Sequence, residues 1–345
     1  MKYRLLGDTG VFVSELCLGA MTFGGQSGLW QTIGGLDQKV VDLVVHRALE
    51  AGVNFVDTAD VYSGGESETL LGKTIAGRRH ELVLATKVRG RMGKGPNQVG
   101  LSRLHIVEAV EASLRRLGTD YVDLYQIHRF DALTTLEDTL RALDDLVHAG
   151  KVRYIGCSNL AAWQLMKALA VSRELGIEHF RCTQSYYSLV GRELEREMIP
   201  LLKDQGLGLL VWSPLAGGFL SGKFTREAPD KNAQHARRAT FDFPPVNKEK
   251  GFAILDVMRE IATGHNVSVA QVALAWLLSR EAVTSVIIGA RNQTQLDDNL
   301  KAAGVQLSRD ELTRLDDASA LTLEYPAWME TMPGDRRPDE LRRYE

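Results

Sequence analysis

The stretch GVNFVDTADVY, Gly52 to Tyr62, begins as an apolar run suited to a buried strand and then turns polar. Val53, Phe55 and Val56 favour extended backbone, Asp57 closes the run, and Tyr62 follows after a short turn. The pattern returns twice: ELVLATK ends in Lys87, and YVDLYQIH ends in His128. In a parallel α/β barrel the carboxyl ends of the strands open on one face, so residues far apart in sequence become neighbours there. A carboxylate, a phenol, an ammonium and an imidazole gathered on that face can deliver a proton to a carbonyl oxygen and stabilise charge developing on it. Asp57, Tyr62, Lys87 and His128 are therefore the candidate catalytic residues.

Working outward, short apolar runs alternate with longer amphipathic segments, the signature of repeated βα units. Strands are expected at 15–18, 53–57, 82–86, 122–127, 153–157, 180–184, 208–212 and 284–288. Helices are expected near 37–51, 66–77, 102–117, 134–149, 161–175, 192–205, 247–263, 268–279 and 292–303. In 134–149, Leu136, Leu140, Leu143 and Val147 recur at helical spacing, and Gly150 supplies a stop. YRLLGDTGVFVS (Tyr3 to Ser14) reads as a hairpin covering the barrel bottom. The expectation is an α/β chain, a (β/α)8 TIM barrel with an N-terminal β-hairpin cap, forming a single domain over 1–345.

Ser308 with Glu311 forms a capping box for a helix over 308–319. The tail that follows, 321–345, holds Tyr325, Pro326, Trp328 and Pro333 and is expected over the mouth of the barrel. Two long loops, 88–100 and 213–246, are expected to serve as lids, the second as a cofactor clamp. The Gly-rich GGQSGLWQTIGG (Gly24 to Gly35) is expected to overhang the site as a flexible wall.

At 44% hydrophobic and 25% charged residues, the composition suits a globular protein with a full core. The net charge of −3 argues against nucleic acid or anionic membranes as general partners. Cys17, Cys157 and Cys182 show no disulfide spacing, and no run approaches the length of a membrane helix, so a cytoplasmic location is expected. The eight histidines are scattered without metal-ligand spacing, so no metal is expected. Neither Gly7-Asp8-Thr9-Gly10 nor Gly24-Gly25 fits a GxGxxG dinucleotide fingerprint.

The four strand-end residues, in order, resemble the tetrad of the aldo-keto reductase family. Further motifs extend the resemblance along nearly the whole chain: GAMTFG (Gly19 to Gly24), GESETLLGK (Gly65 to Lys73), HRFD (His128 to Asp131), GKVRYIGCSN (Gly150 to Asn159), Tyr186-Tyr187, WSPLAGG (Trp212 to Gly218), LSGK (Leu220 to Lys223) and GARNQTQLDDN (Gly289 to Asn299). The chain is similar to bacterial members and to the branch that includes the potassium-channel β subunits. The resemblance implies a reversible, NADPH-dependent reduction of an aldehyde or ketone, with Tyr62 as general acid and base. It also admits a nucleotide-sensing regulatory subunit of the same fold.

On that resemblance Ser158, Asn159 and Gln184 hold the nicotinamide carboxamide, and Trp212 stacks on its ring. Met21, Thr22 and Asp57 complete that end of the NADPH/NADP+ site. Ser213, Pro214, Leu215, Gly217, Gly218, Leu220 and Lys223 form a small-residue loop whose backbone can approach a pyrophosphate closely. Gly289 and Arg291 open a helix where a phosphate is favoured, which points to the 2′-phosphate of NADPH, while Gln295 and Asn299 face adenine and ribose. Phe23, Trp30, Arg129 and Phe130 are expected around a small carbonyl substrate that is bulky or toxin-like. The residues leave oligomeric state open.

Overall fold

A computed structural model describes residues 1–25, 28–226, 238 and 241–329. Eight parallel strands close into a barrel: β3 (Leu16–Gly19), β4 (Phe55–Asp57), β5 (Val83–Val88), β6 (Val122–Ile127), β7 (Val152–Ser158), β8 (Cys182–Tyr186), β9 (Gly208–Trp212) and β10 (Ser285–Ile288), with β10 pairing back on β3. All eight fall where the apolar runs predict them. Ahead of them β1 (Tyr3–Leu5) and β2 (Phe12–Ser14) form the expected antiparallel hairpin, with Tyr3 opposite Ser14. Leu6 and Val13 are fully buried and join the core inside the barrel. Gly7 sits at φ 58°, and a Cβ there would meet the Arg181 carbonyl at 2.5 Å, so only glycine lets the hairpin seat this closely on the bottom.

The two-residue period of a strand does the rest. Phe55, Ala85, Leu124, Cys182 and Leu210 point inward and fill the barrel interior. Two positions further along the same five strands stand Asp57, Lys87, Gln126, Gln184 and Trp212, which therefore share that face at the carboxyl-end mouth. The intervening residues, among them Val56, Leu84, Tyr125 and Val211, pack outward under the helices.

Those helices are α2 (Gln38–Glu50), α3 (Glu66–Thr74), α4 (Arg103–Leu117), α5 (Leu136–His148), α6 (Ala162–Leu175), α7 (Met198–Gln205), α8 (Lys248–His265), α9 (Val269–Leu278), α10 (Gln293–Lys301) and α11 (Arg309–Ser319). Side-chain caps from Asp37, Ser102, Thr135, Asn247, Ser268, Asn292 and Ser308 accept orphan N–H groups at their starts. The Ser308–Glu311 capping box is present as expected. In α5 the buried stripe centres on Leu140, Leu143 and Leu146, with Leu136 and Val147 at its edges.

Three expectations change. The 192–205 segment is not one helix: a 3-10 turn over Glu193–Glu195 precedes α7, where the Arg192 guanidinium forks onto Glu195 and also reaches Asp316. The 66–77 helix stops at Thr74. The supposed flexible wall contains a short helix, α1 (Gly28–Ile33). No single helix among the described residues is long and apolar enough to cross a membrane. The tail's Tyr325 is 76% exposed, and Pro333 lies outside the described residues.

Candidate active site

Asp57, Lys87 and His128 reach the mouth because strand alternation aims them there. Tyr62 arrives by a different route. After β4 the chain turns so that the Tyr62 N–H meets the Ala59 carbonyl at 3.2 Å, which brings the phenol within reach of Lys87, and a 3-10 turn over Tyr62–Gly65 follows with Ser63, Gly64 and Gly65 at positive φ. The Lys87 ammonium has all three protons placed: on Asp57 Oδ2 at 2.5 Å, the Thr58 carbonyl at 2.8 Å and the Tyr62 hydroxyl at 3.2 Å. The His128 ring stands edge-on to Tyr62 with centroids 5.9 Å apart.

Sequence reasoning missed Gln126. Its amide donates to Asp57 Oδ1 at 3.0 Å, beside the Gln184 amide at 2.8 Å, so the carboxylate is fixed by three donors in all. The period-two rule could have found it: Gln126 lies two residues before His128 on a strand whose inward positions were already assigned.

Two effects oppose each other at Tyr62, burial pushing its pKa up and the Lys87 charge pulling it down. Burial outweighs the Lys87 charge, and the phenol lies above its ordinary value. Burial also opposes the Lys87 charge, but there the Asp57 carboxylate and Tyr62 prevail and its pKa is raised. For His128, burial first and then the Lys87, Arg129 and Arg89 charges bring the pKa down to about 3. At neutral pH the site therefore presents a protonated phenol and a neutral imidazole around a buried ion pair.

Behind the barrel wall, Asp60 is fully buried and neither carboxyl oxygen has a well-aligned hydrogen-bond donor. Burial, then the Glu68 charge, pushes it up to about 8, against weaker pulls from the Val61 N–H, Arg116 and Lys87. The folded chain thus keeps a proton that the unfolded chain releases near pH 4. The stability this confers is full below that pH and erodes as pH rises toward 8. Asp60→Asn is neutral and nearly isosteric, so it should raise the melting temperature by a few degrees at pH 8 and change little below pH 4. Thermal melts with the same pH dependence in both proteins would refute this.

A cavity of about 1220 Å³ joins the tetrad to the β9 and β10 ends. Among the sequence-derived candidates, its walls include Met21, Thr22, Trp30, Asp57, Tyr62, His128, Arg129, Asn159, Gln184, Trp212, Ser213, Pro214, Leu215, Gly217, Gly218, Lys223, Gly289, Arg291, Gln295 and Asn299. Lys87 lies beneath them, and the Ser158 hydroxyl is turned to the Gln184 carbonyl at 2.8 Å. Leu220 and Phe23 are fully buried in the core and off the wall. Phe130 faces Trp163, with ring centroids 6.3 Å apart, and its backbone carbonyl accepts from Arg89 at 3.2 Å. Phe23 and Phe130 are thus not among the residues that line this cavity.

Asn159 bridges the amide end. Its amide donates to the Ser158 hydroxyl at 2.9 Å and the His128 carbonyl at 3.1 Å, and its own carbonyl accepts from the Trp212 indole at 2.9 Å. Trp212 lies between Tyr186 and Phe243, the latter stacked at 5.8 Å. Phe243 is a further residue that the sequence did not single out. The 213–246 loop is tied at its base by Arg238, which donates to the Ala216 and Pro244 carbonyls; residues 227–237 and 239–240 lie outside the described set. Arg291 is also engaged: its guanidinium donates to the Thr32 and Ile33 carbonyls at the end of α1, while Gln295 accepts from its backbone N–H at 3.0 Å.

A buried phenol, ammonium and carboxylate beside a neutral imidazole, at the end of a long cavity, can protonate a carbonyl oxygen at that end. The sequence comparisons agree with such chemistry. The model of the aldo/keto reductase family matches residues 15–320. The chain is 37% identical over 342 residues to the versiconal hemiacetal acetate reductase of Aspergillus parasiticus, covering 92% of this chain and 96% of that protein. It is 38% identical over 328 residues to an uncharacterised oxidoreductase of Bacillus subtilis (92% and 95% covered), and 38% over 318 residues to a probable voltage-gated potassium channel β subunit of Oryza sativa (88% and 92%). With barrel, tetrad and near full-length similarity in agreement, the chain belongs to the aldo/keto reductase family.

Proposed function

We propose that this oxidoreductase is an NADPH-dependent reductase of aldehydes or ketones, working reversibly, with Tyr62 as general acid in reduction and general base in oxidation. The observation that carries this is the Lys87 ammonium bonded at once to Asp57 and Tyr62 under the cavity floor. A reduced nicotinamide bound at the amide end supplies the hydride; the remaining chemistry belongs to the chain. Tyr62 donates its proton to the carbonyl oxygen, and His128, neutral, donates a hydrogen bond to the same atom. Lys87 stabilises the phenolate left behind, and Asp57 keeps Lys87 charged and in place.

The cavity fits a dinucleotide. Asn159 and Gln184 present amides near the tetrad, and Trp212 offers a ring beside them. The wall then runs through the glycine loop at Gly217 and Gly218 to Lys223 and the start of α10. Trp212 and Asn159 would hold the nicotinamide end; here the Trp212 ring stacks on Phe243 and the Asn159 carbonyl accepts from the Trp212 indole. Arg291, at the phosphate end, selects the 2′-phosphate.

The test is loss of NADPH absorbance with a panel of aldehydes, quinones and bulky ketones, with NADH in parallel. Arg291→Ala should cut the preference for NADPH over NADH by roughly 10–100-fold, the worth of a charge-assisted contact. An unchanged preference would remove Arg291 from the role. Similarity to channel β subunits favours one second reading, a nucleotide sensor; tight NADPH binding without turnover on any of the panel would favour it.

A further inference from the structure

Near the tetrad the cavity wall carries Arg89, Arg91 and Arg129. Its carboxylates among the described residues are Asp57, already paired with Lys87, and Asp298, which takes the Ser268 hydroxyl at 2.8 Å and the Gln271 amide at 2.6 Å at the far end. No carboxylate of the described residues lies within ion-pair distance of the three guanidinium groups. Arg91 is anchored through Nη1 to the Gly93 and Gly95 carbonyls of its own loop at 3.1 and 3.0 Å. Arg89 uses only Nε, on the Phe130 carbonyl at 3.2 Å, and its backbone is held at φ 125°, a conformation that side-chain-bearing residues rarely adopt. Asp131, the acid next along from Phe130, is taken by the Leu101 and Leu133 N–H groups and the Thr134 hydroxyl. Arg129 adjoins His128 and is exposed to the cavity mouth.

Building on the reductase assignment, we infer that the carbonyl substrate carries a carboxylate, which the Arg129 guanidinium, with the free end of Arg89, holds beside His128. A guanidinium fork matches a carboxylate with two parallel hydrogen bonds, and neither arginine has one among the described residues: Asp131 acts on Arg89 only from beyond ion-pair distance. Both arginines also act on the imidazole, adding to the fall in its pKa. The groups assigned to cofactor phosphates, Lys223 and Arg291, stand at the β9 and β10 ends, so Arg89 and Arg129 on the β5 and β6 side are left for the substrate. Trp30, whose ring lies 6.0 Å from that of Tyr62, adds an apolar wall suited to an aromatic body. The substrate class is thus an aromatic or similarly planar aldehyde or ketone bearing a carboxylate.

The experiment compares 4-formylbenzoate with its methyl ester as substrates of the full chain with NADPH, in wild type, R129Q and R129K. The acid should exceed the ester by at least about tenfold in kcat/KM, mainly through KM. That ratio should collapse toward one in R129Q and recover in part in R129K, and added salt should erode it in wild type. A wild-type ratio near one, or a ratio kept in R129Q, overturns the inference. A loss of NADP+ affinity in R129Q without a change in the ratio assigns the guanidinium to the cofactor and also overturns it. Binding of 4-(hydroxymethyl)benzoate, read by tryptophan fluorescence, separates this idea from the reductase assignment. If neither aldehyde turns over yet the acid binds in an Arg129-dependent way, the anion site stands and the reductase assignment falls. If the acid neither turns over nor binds with such dependence, the anion site falls.

Discussion

Tyr62→Phe should lower the rate of carbonyl reduction by roughly 10²–10⁴-fold, the usual worth of a placed general acid, while leaving the dissociation constant for NADPH unchanged. The substitution removes one oxygen. The ring keeps its place on the 3-10 turn, packed near Trp30 and His128, and Lys87 keeps Asp57 and the Thr58 carbonyl as acceptors. What disappears is the proton. The pH dependence carries the same argument. With Tyr62 raised and His128 brought down to about 3, both hold their working forms from mildly acidic to neutral pH and beyond. Reductive turnover should therefore be level across that range and fall at alkaline pH as the phenol ionises; oxidation, which needs the phenolate, should rise there. Wild-type reduction rates in Tyr62→Phe with intact cofactor binding would remove Tyr62 from the mechanism.

Lys87→Met should lower activity by a similar factor and also destabilise the fold by about 3–5 kcal/mol, because it strands a buried carboxylate. Lys87 is fully buried and Asp57 is 2% exposed, so water cannot replace the lost partner. The stranded carboxylate is relieved by taking a proton, so the variant's deficit should shrink as pH falls. Adding Asp57→Asn to Lys87→Met should restore most of the stability and none of the activity. That double variant separates the two roles of the pair: its charge balance is a matter of folding, and its hold on Tyr62 is a matter of catalysis. Chemical denaturation of the single and double variants checks the first, and turnover checks the second. A single variant as stable as wild type at neutral pH would mean that the pair is not buried as described.

The strands were legible because each is a short apolar run with a polar end, and the inward face of a strand repeats every second residue. Asp57, Lys87 and His128 followed from that rule, and Gln126 obeys it equally, though the residues around it carried no chemical label that drew notice. The helix start at Ser308 was legible for a related reason: a cap acts on backbone groups two or three residues away, so its signal is local. The break before α7 was not, since it depends on Arg192 reaching Asp316 from a distant part of the chain.

The sequence by itself determined the barrel, the set of titratable groups at its mouth and the family, because local periodicity and strand-end residue types decide these. Tertiary structure alone decided how those groups interact. Whether Tyr62 is held above or below its ordinary pKa depends on the balance of burial against the Lys87 charge, and burial is a property of everything packed around the ring. It likewise decided that Phe23 is core rather than wall, that Trp30 rides on a short helix tied to Arg291, and that Phe243 lies against Trp212. Each of these is a contact between segments far apart in the chain, which no spacing rule can reach.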